Sequence, residues 1–299
     1  MIAPGSTPIP TPPPLVLDFD GSLRGLEGAQ VVPLANWQEA IRFGCGLPAW
    51  RRLEAFLREC MPSRYGTVLM GSGDYHHLSH LLLKRLDGSE KFDVVVFDNH
   101  PDNMRFPFGI HCGSWVRHAA SLPQVGTIHV LGICSPDVGW RHAWENYLSP
   151  IFRGQVHYWT LGVDTAWASR LGLGKGFHAF SAVADLIDAF VCRLAGSDTP
   201  VYLSIDKDVL APEVARTNWD QGRLGLDDIA RVIASLTGRL VGSDITGEIS
   251  IHHYRTGWKR WLSALDDQPA VAEEALARWQ AQQLEVNRQL LAWIAAASR

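Results

Sequence analysis

The chain has 299 residues, 46% of them hydrophobic and 19% charged, with a formal net charge of −4. That is enough apolar material for one large α/β domain, and the lack of a Lys/Arg-dense block removes nucleic acid as an expected partner. No apolar run approaches the ~18 residues of a spanning helix and the N-terminus lacks a basic-then-apolar leader, so the expectation is a cytoplasmic protein with no membrane partner.

Residues 1–14 are Pro-rich and predict a flexible tail, with the folded domain running from 15 to 299. The first strand, Leu15–Phe19, leads through Asp18 and Asp20 into Gly21-Ser22. Helices are expected over Trp37–Phe43 and Pro48–Cys60, then a strand over Thr67–Met70. That strand runs into Gly71-Ser-Gly-Asp74-Tyr-His76-His77, which opens a helix over His77–Leu86 and sets a histidine at a strand-to-helix junction. The apolar strand Val94–Phe97 ends in Asp98-Asn-His100-Pro-Asp102. In extended backbone residues 98, 100 and 102 share a face, so two carboxylates and an imidazole would project together as a seat for a divalent metal. The bland alternative is a polar strand end with capping aspartates. Further strands are expected over Thr127–Ile133 and Val156–Thr160, and a helix over Ser181–Leu194. Strand Val201–Ile205 repeats the acidic ending as Asp206-Lys-Asp208.

A helix over Asp227–Leu236 and a strand over Gly242–Ile251, carrying Gly247-Glu248, come next. From Pro269 to Arg299 the chain reads as one helix, with Trp279, Leu284, Leu290, Leu291 and Ile294 forming a stripe for packing or subunit contact. Strands alternating with helices predict a single three-layer α/β/α domain with a doubly wound, mostly parallel sheet. Ligands of such sheets gather at the carboxyl ends of the strands, where both acidic motifs fall. Cys45, Cys60, Cys112, Cys134 and Cys192 have no C-x-x-C spacing and read as reduced, mostly buried thiols. Four carboxylates and two imidazoles are too many for one small ion but suit two ions bridged by shared carboxylates.

With these residues assembled, the chain resembles the ureohydrolase family, the arginase and agmatinase group. Its motifs, G-G-D-H, D-A-H-x-D, S-x-D-x-D-x-x-D-P and a late glutamate, occur here in the same order as G-S-G-D-Y-H-H, D-N-H-P-D, S-I-D-K-D-V-L-A-P and G-E-I-S. The resemblance implies an arginase-like fold and two divalent ions, most often manganese, with nickel, cobalt or iron as alternatives. Asp98 and Asp206 would bridge the ions. One ion would also take Asp102 and the glycine-loop histidine, and the other His100 and Asp208. Because Tyr75 is inserted, that histidine is His76 or, as the alternative, His77. The resemblance further implies attack of a metal-bridging hydroxide on a guanidino or amidino carbon, with release of urea or a similar small amide. Asp102 would orient the hydroxide, Glu248 would pair with the guanidinium, and His111 would shuttle a proton to the leaving amine. A small-molecule substrate and a homo-oligomer, trimer or hexamer, are implied as well.

The sequence departs from the pattern at several places. Ala211 stands where the family has a third aspartate that is not a metal ligand. Arg105, in the loop Asn103–Phe108, either grips a substrate carboxylate or pairs with a local acid. Asp137, after Pro136, either contacts a substrate amine or forms a turn. Asn218 and Asp220 lie in Asn218-Trp219-Asp220-Gln-Gly, which replaces the family's T-P-x-x-G-G and reshapes the pocket. Two rival readings stand beside this one. Asp18-Phe-Asp20-Gly-Ser22 fits the nucleophile motif of haloacid-dehalogenase-type phosphatases, although Lys207 sits inside the second acidic motif on the face opposite its aspartates and none of the other four lysines follows a convincing strand. His76-His77 also resembles the tandem pair of deacetylase-like relatives, whose single zinc would leave two aspartates uncompensated. A non-catalytic member would be expected to lack at least one ligand, and none is missing.

Overall fold

Val94 and Val96 face one side of their strand and Val95 and Phe97 the other, and both sides are buried under separate apolar layers. A strand buried on both faces belongs to the centre of a helix-covered parallel sheet. The computed structural model, which describes residues 12–86, 90–265 and 271–299, has that sheet. Its strands, in chain order, are β1 (Leu15–Asp18), β2 (Gln30–Pro33), β3 (Gly44–Cys45), β4 (Val68–Leu69), β5 (Phe92–Phe97), β6 (Ile110–His111), β7 (Val125–Ile133), β8 (Val156–Leu161), β9 (Phe177–Phe180), β10 (Val201–Asp206) and β11 (Leu240–Thr246). Nine of them form one parallel sheet in the order β2-β1-β4-β11-β10-β5-β7-β8-β9, while β3 and β6 make a small antiparallel ribbon.

The order positions the site. Between β4 and β5 the chain leaves two lanes that β11 and β10 fill much later. The carboxyl ends of β4, β11, β10 and β5 therefore stand side by side, and these carry the glycine loop, Gly247, Asp206 and Asp98. Helix Leu47–Cys60 buries Trp50, Leu53 and Leu57 against one face. Helices Val183–Leu194, Leu226–Ser235 and Glu273–Ala297 bury the other, through residues such as Phe190, Val232 and Leu290.

The three-layer expectation holds, and its departures have local causes. The edge strands β2 and β9 were not expected, being only four residues each with little apolar periodicity. The late strand stops at Thr246 and not at Ile251, because Gly247 turns the chain with a φ of +90°. The glycine-loop helix begins at Ser79, after a 3-10 turn over Gly73–Leu78. In the C-terminal helix Glu273–Ala297, Leu290, Leu291 and Ile294 pack on the chain's own core, so this part of the stripe serves intramolecular packing. Residues 269–270 of the expected helix and 1–11 of the expected tail lie outside the described residues. Only Cys45 and Cys112 are buried, while Cys60 and Cys192 are exposed. Among the described residues no helix is long and apolar enough to cross a membrane.

Candidate metal centre

The first acidic motif converges for a different reason from the expected one. β5 ends at Phe97, and residues 98–102 are not extended: Asp102 has a φ of +44°, strained for a non-glycine residue. It is the fold of this loop, not strand alternation, that brings the side chains together, helped by a 2.7 Å bond from the His100 N–H to Asp98 Oδ1. His76 Nδ1 lies 3.1 Å from Asp98 Oδ2, 3.0 Å from Asp102 Oδ2 and 3.5 Å from Asp206 Oδ2. His100 Nδ1 lies 2.9 Å from Asp208 Oδ2 and 3.5 Å from Asp98 Oδ1. Two groups able to hold a metal ion result, His76/Asp98/Asp206 and Asp98/His100/Asp208, with Asp98 in both.

Proton bookkeeping indicates what the cluster needs. His76 Nε2 is 3.0 Å from Ser204 Oγ, and the Ser204 hydroxyl donates to Asp244 Oδ1 at 2.7 Å. A hydroxyl has one proton to give, so His76 donates from Nε2 and turns the Nδ1 lone pair toward three carboxylates. Likewise His100 Nε2 donates to Asp220 Oδ1 at 2.8 Å, leaving its Nδ1 lone pair toward Asp208. Lone pairs and carboxylates facing one another repel unless a cation stands between them. Accordingly, His76 Nδ1 and Asp98 Oδ2 are buried without a hydrogen-bond partner. Burial and the neighbouring Asp98 charge push the Asp102 and Asp208 carboxyls up to about 7. Burial opposes charge on the imidazoles too, yet the facing Asp102 and Asp98 carboxylates raise the proton affinity of His76, and the charge of Asp208 raises that of His100. A divalent cation at the same point would take the place of those protons.

The second motif also leaves its strand before it is complete. Asp206 closes β10, a tight turn spans Lys207–Val209, and the Asn99 N–H fixes Asp208 Oδ1 at 2.9 Å. Lys207 points the opposite way and is fully buried, bonded to Glu248 and, at 3.0 Å, to Asn287 Oδ1. Gly247 explains the position of Glu248: a Cβ at Gly247 would lie 2.4 Å from Asp206 Oδ1, so only glycine fits against the cluster. The next side chain is then directed away from it. Over the cluster opens a cavity of about 940 Å³, walled in part by Phe43, Met104, Phe106 and Trp219.

No family model matches the chain. An uncharacterized protein of Thermotoga maritima is 28% identical over 193 residues, 64% of this chain. The match spans 62% of that relative's length, short of two thirds. Among solved structures, proclavaminate amidino hydrolase from Streptomyces clavuligerus is similar with a TM-score of 0.54 at 16% identity, over 97% of this chain and 94% of that one. For agmatine ureohydrolase of Thermoplasma volcanium the TM-score is 0.53 at 17% identity, over 95% and 88%. For formimidoylglutamase from Bacillus subtilis it is 0.52 at 13% identity, over 98% and 89%. The chain has the ureohydrolase fold.

Within that fold the remaining sequence candidates divide. Arg105, Asp137, Asp220 and His111 line the cavity, whereas Glu248 and Asn218 do not. Glu248 was expected to meet a guanidinium; it is buried beneath the cluster, held by Lys207 and by Asn287 Nδ2 at 2.8 Å. Asn218 was expected at the substrate; it is buried as a strut, donating to Ser250 O and accepting from Ser250 N, each at 2.9 Å. His77 is buried against Trp50 with 5.3 Å between ring centroids and belongs to neither ligand group. Arg105 forms no ion pair with an acid among the described residues; it is exposed, with its guanidinium 5.4 Å from the Tyr147 ring centroid. Asp137 sits in the turn Pro136–Val138, as one of its two readings has it, and also lines the cavity. His111 Nδ1 accepts from the Gly113 N–H at 3.0 Å, and burial pulls its pKa down to about 3. It is thus a neutral imidazole with its proton on Nε2, which suits donating a hydrogen bond better than shuttling protons.

The phosphatase reading fails on the same geometry. Asp18 accepts from the Gly21 N–H at 2.9 Å, and Asp20 accepts from Ser250 Oγ at 2.8 Å and pairs with buried Arg42 at 3.5 Å. Both hold loops in place. Several residues of the site went unnoticed in the sequence. Tyr202 and Ser204 share the Asp206 face of β10, and Asp244, in register with Ser204 on β11, accepts from both. Polar residues at every second position of otherwise apolar strands were the available sign. Trp115, whose Nε1 donates to Asp102 Oδ2 at 2.7 Å, carried none.

Proposed function

We propose that this chain is a dinuclear-metal hydrolase that cleaves a linear C–N bond of a small guanidino or amidino compound, releasing urea or a similar small amide. The observation that carries the reading is the pair of three-residue ligand groups sharing Asp98 at the floor of one cavity. His76, Asp98 and Asp206 would hold one ion and Asp98, His100 and Asp208 the other. Oxygen-rich ligands with two imidazoles suit manganese, with nickel, cobalt or iron as alternatives. Bound there, two divalent cations supply Lewis acidity and a water that ionises near neutral pH.

The chain's own groups would do the rest. Asp102 has its Oδ2 anchored by Trp115, which leaves Oδ1 to accept a proton from an attacking water. His111, neutral and fixed by Gly113, would donate its Nε2–H toward the substrate. Arg105 at the cavity wall would take a substrate carboxylate, and Asp137 a substrate amine. The names of the structural neighbours, an amidino hydrolase, a ureohydrolase and a formimidoylglutamase, support the bond type. A homo-oligomeric assembly, trimer or hexamer, is part of the same proposal.

Metal analysis coupled to a screen for urea and ammonia release tests it, across arginine, agmatine, guanidinoalkanoates, formimino compounds and guanidine. The expected result is about two manganese ions per chain and turnover of one compound class. Fewer than about two ions after reconstitution with excess metal would sink the dinuclear reading.

A further inference from the structure

The geometry points to Lys207, Glu248 and Asn287 as a buried clamp through which the C-terminal helix Glu273–Ala297 positions the ligand pair Asp206 and Asp208. On this inference, which rests on the function proposed above, Glu248 is a positioning residue and not the carboxylate that meets a guanidinium.

The three side chains are 0%, 2% and 0% exposed. A buried lysine–glutamate pair is tolerated only where further hydrogen bonds satisfy both partners, and Asn287 satisfies both at once. Its Oδ1 accepts from Lys207 Nζ at 3.0 Å and its Nδ2 donates to Glu248 Oε1 at 2.8 Å. One helical turn earlier, fully buried Gln283 donates from Nε2 to Gly247 O and accepts at Oε1 from the Ile249 N–H, both at 2.7 Å. The backbone on either side of Glu248 is therefore tied to the same helix. Residues 283 and 287, four apart, lie on one face of that helix, and this face holds the loop after β11.

On the far side of the clamp Lys207 sits between the two candidate ligands, in a turn closed by a 3.0 Å bond from the Asp208 N–H to Asp206 Oδ1. A Cβ at Gly247 would come within 2.7 Å of the Lys207 backbone nitrogen, so the turn is also closely approached from the β11 side. Lys207 shares this turn with Asp206 and Asp208, so holding its side chain in the clamp braces the backbone that carries both. Residues outside a metal's ligand set that fix ligand orientation typically alter metal affinity 10- to 100-fold.

The test uses the full chain, depleted of metal and titrated with Mn²⁺ by calorimetry and paramagnetic resonance, for wild type, Glu248→Gln, Lys207→Met, the double variant and Asn287→Leu. The clamp predicts that Glu248→Gln weakens Mn²⁺ binding about 10- to 100-fold, with turnover recovering in excess metal and KM within about 2-fold of wild type. It predicts that Lys207→Met combined with Glu248→Gln regains most of the affinity lost in either single variant, because neither charge is left unpaired. Asn287→Leu, which removes no charge and serves should a single charge variant fail to fold, should weaken Mn²⁺ binding about 10-fold. Unchanged Mn²⁺ affinity in Glu248→Gln and Asn287→Leu, with kcat/KM falling in Glu248→Gln alone, would overturn the clamp in favour of substrate contact. If wild type itself binds no metal, it is the proposed function that fails, and the clamp with it.

Discussion

The two histidines of the cluster present the same atom to the same kind of site, yet they are held very differently. His76 is 1% exposed; its Nε2 is backed by Ser204, which is tied to Asp244, and its ring lies 4.9 Å from that of Trp115. His100 has a side chain 15% exposed, and its backing carboxylate, Asp220, is 63% exposed at the cavity wall. A fully buried relay has one arrangement, whereas an exposed carboxylate has several and is screened by water. The inner position should therefore bind its ion tightly and exchange it slowly, and the outer one should be labile and open to substrate.

The strongest way to break the contrast is to remove what the two positions share. Asp98 directs Oδ2 toward His76 and Oδ1 toward His100, so Asp98→Ala should cost both ions. Loss of a direct ligand exceeds the 10- to 100-fold cost typical of changes outside the ligand set, and activity should fall below detection. By contrast, Asp208→Ala should leave one tightly held ion at the inner position. Counting metal per chain by elemental analysis separates the two variants; equal content in both would mean that Asp98 is not shared. A chelator applied to the wild type should release metal in two phases of similar amplitude, and a single phase would contradict the difference between the positions.

A narrower test bears on the inner position alone. Ser204→Ala leaves His76 Nε2 without its acceptor and frees the ring to change tautomer, so inner-site affinity should fall about 10- to 100-fold with the outer site unaffected. Ser204→Thr keeps the hydroxyl and should restore most of the loss. If alanine and threonine behave alike in Mn²⁺ titrations, the relay does not set the tautomer.

How much of this was legible in the sequence follows from which forces act locally. The layers and central strands were readable because apolar runs such as Val94–Phe97 are fully buried and need no distant partner to be recognised. The candidate ligands were readable because their residue types are rarely grouped by chance. Glu248 was placed on the wrong side of the strand end because a single residue decides it: Gly247 fits against Asp206, and the chain order of the motif does not reveal that contact. Asn287 and Gln283 were hidden by the apolar stripe around them, where two amides replace hydrophobic residues on the buried face. Asp244 acts through contacts with Tyr202 and Ser204 of a distant strand, which only the strand order creates, and Trp115 acts through a bond from the start of a short helix to the loop that carries Asp102.

The outer position yields the smallest expected effect, and it is diagnostic for that reason. Asp220 accepts from His100 Nε2 at 2.8 Å and from Asn99 Nδ2 at 2.9 Å, in the manner of a metal-backing carboxylate, but from an exposed position. Exposed charge pairs contribute roughly 0.2–1 kcal/mol. Asp220→Asn should then weaken the outer ion only about 2- to 5-fold, and the deficit should shrink as ionic strength rises through the range where the Debye length drops below ~8 Å. Ser204→Ala, with its relay buried, should show no such salt dependence. A loss at Asp220→Asn as large as at Ser204→Ala and equally insensitive to salt would show that the cavity closes over Asp220 when metal is bound, and the two ends of the cradle would then be alike.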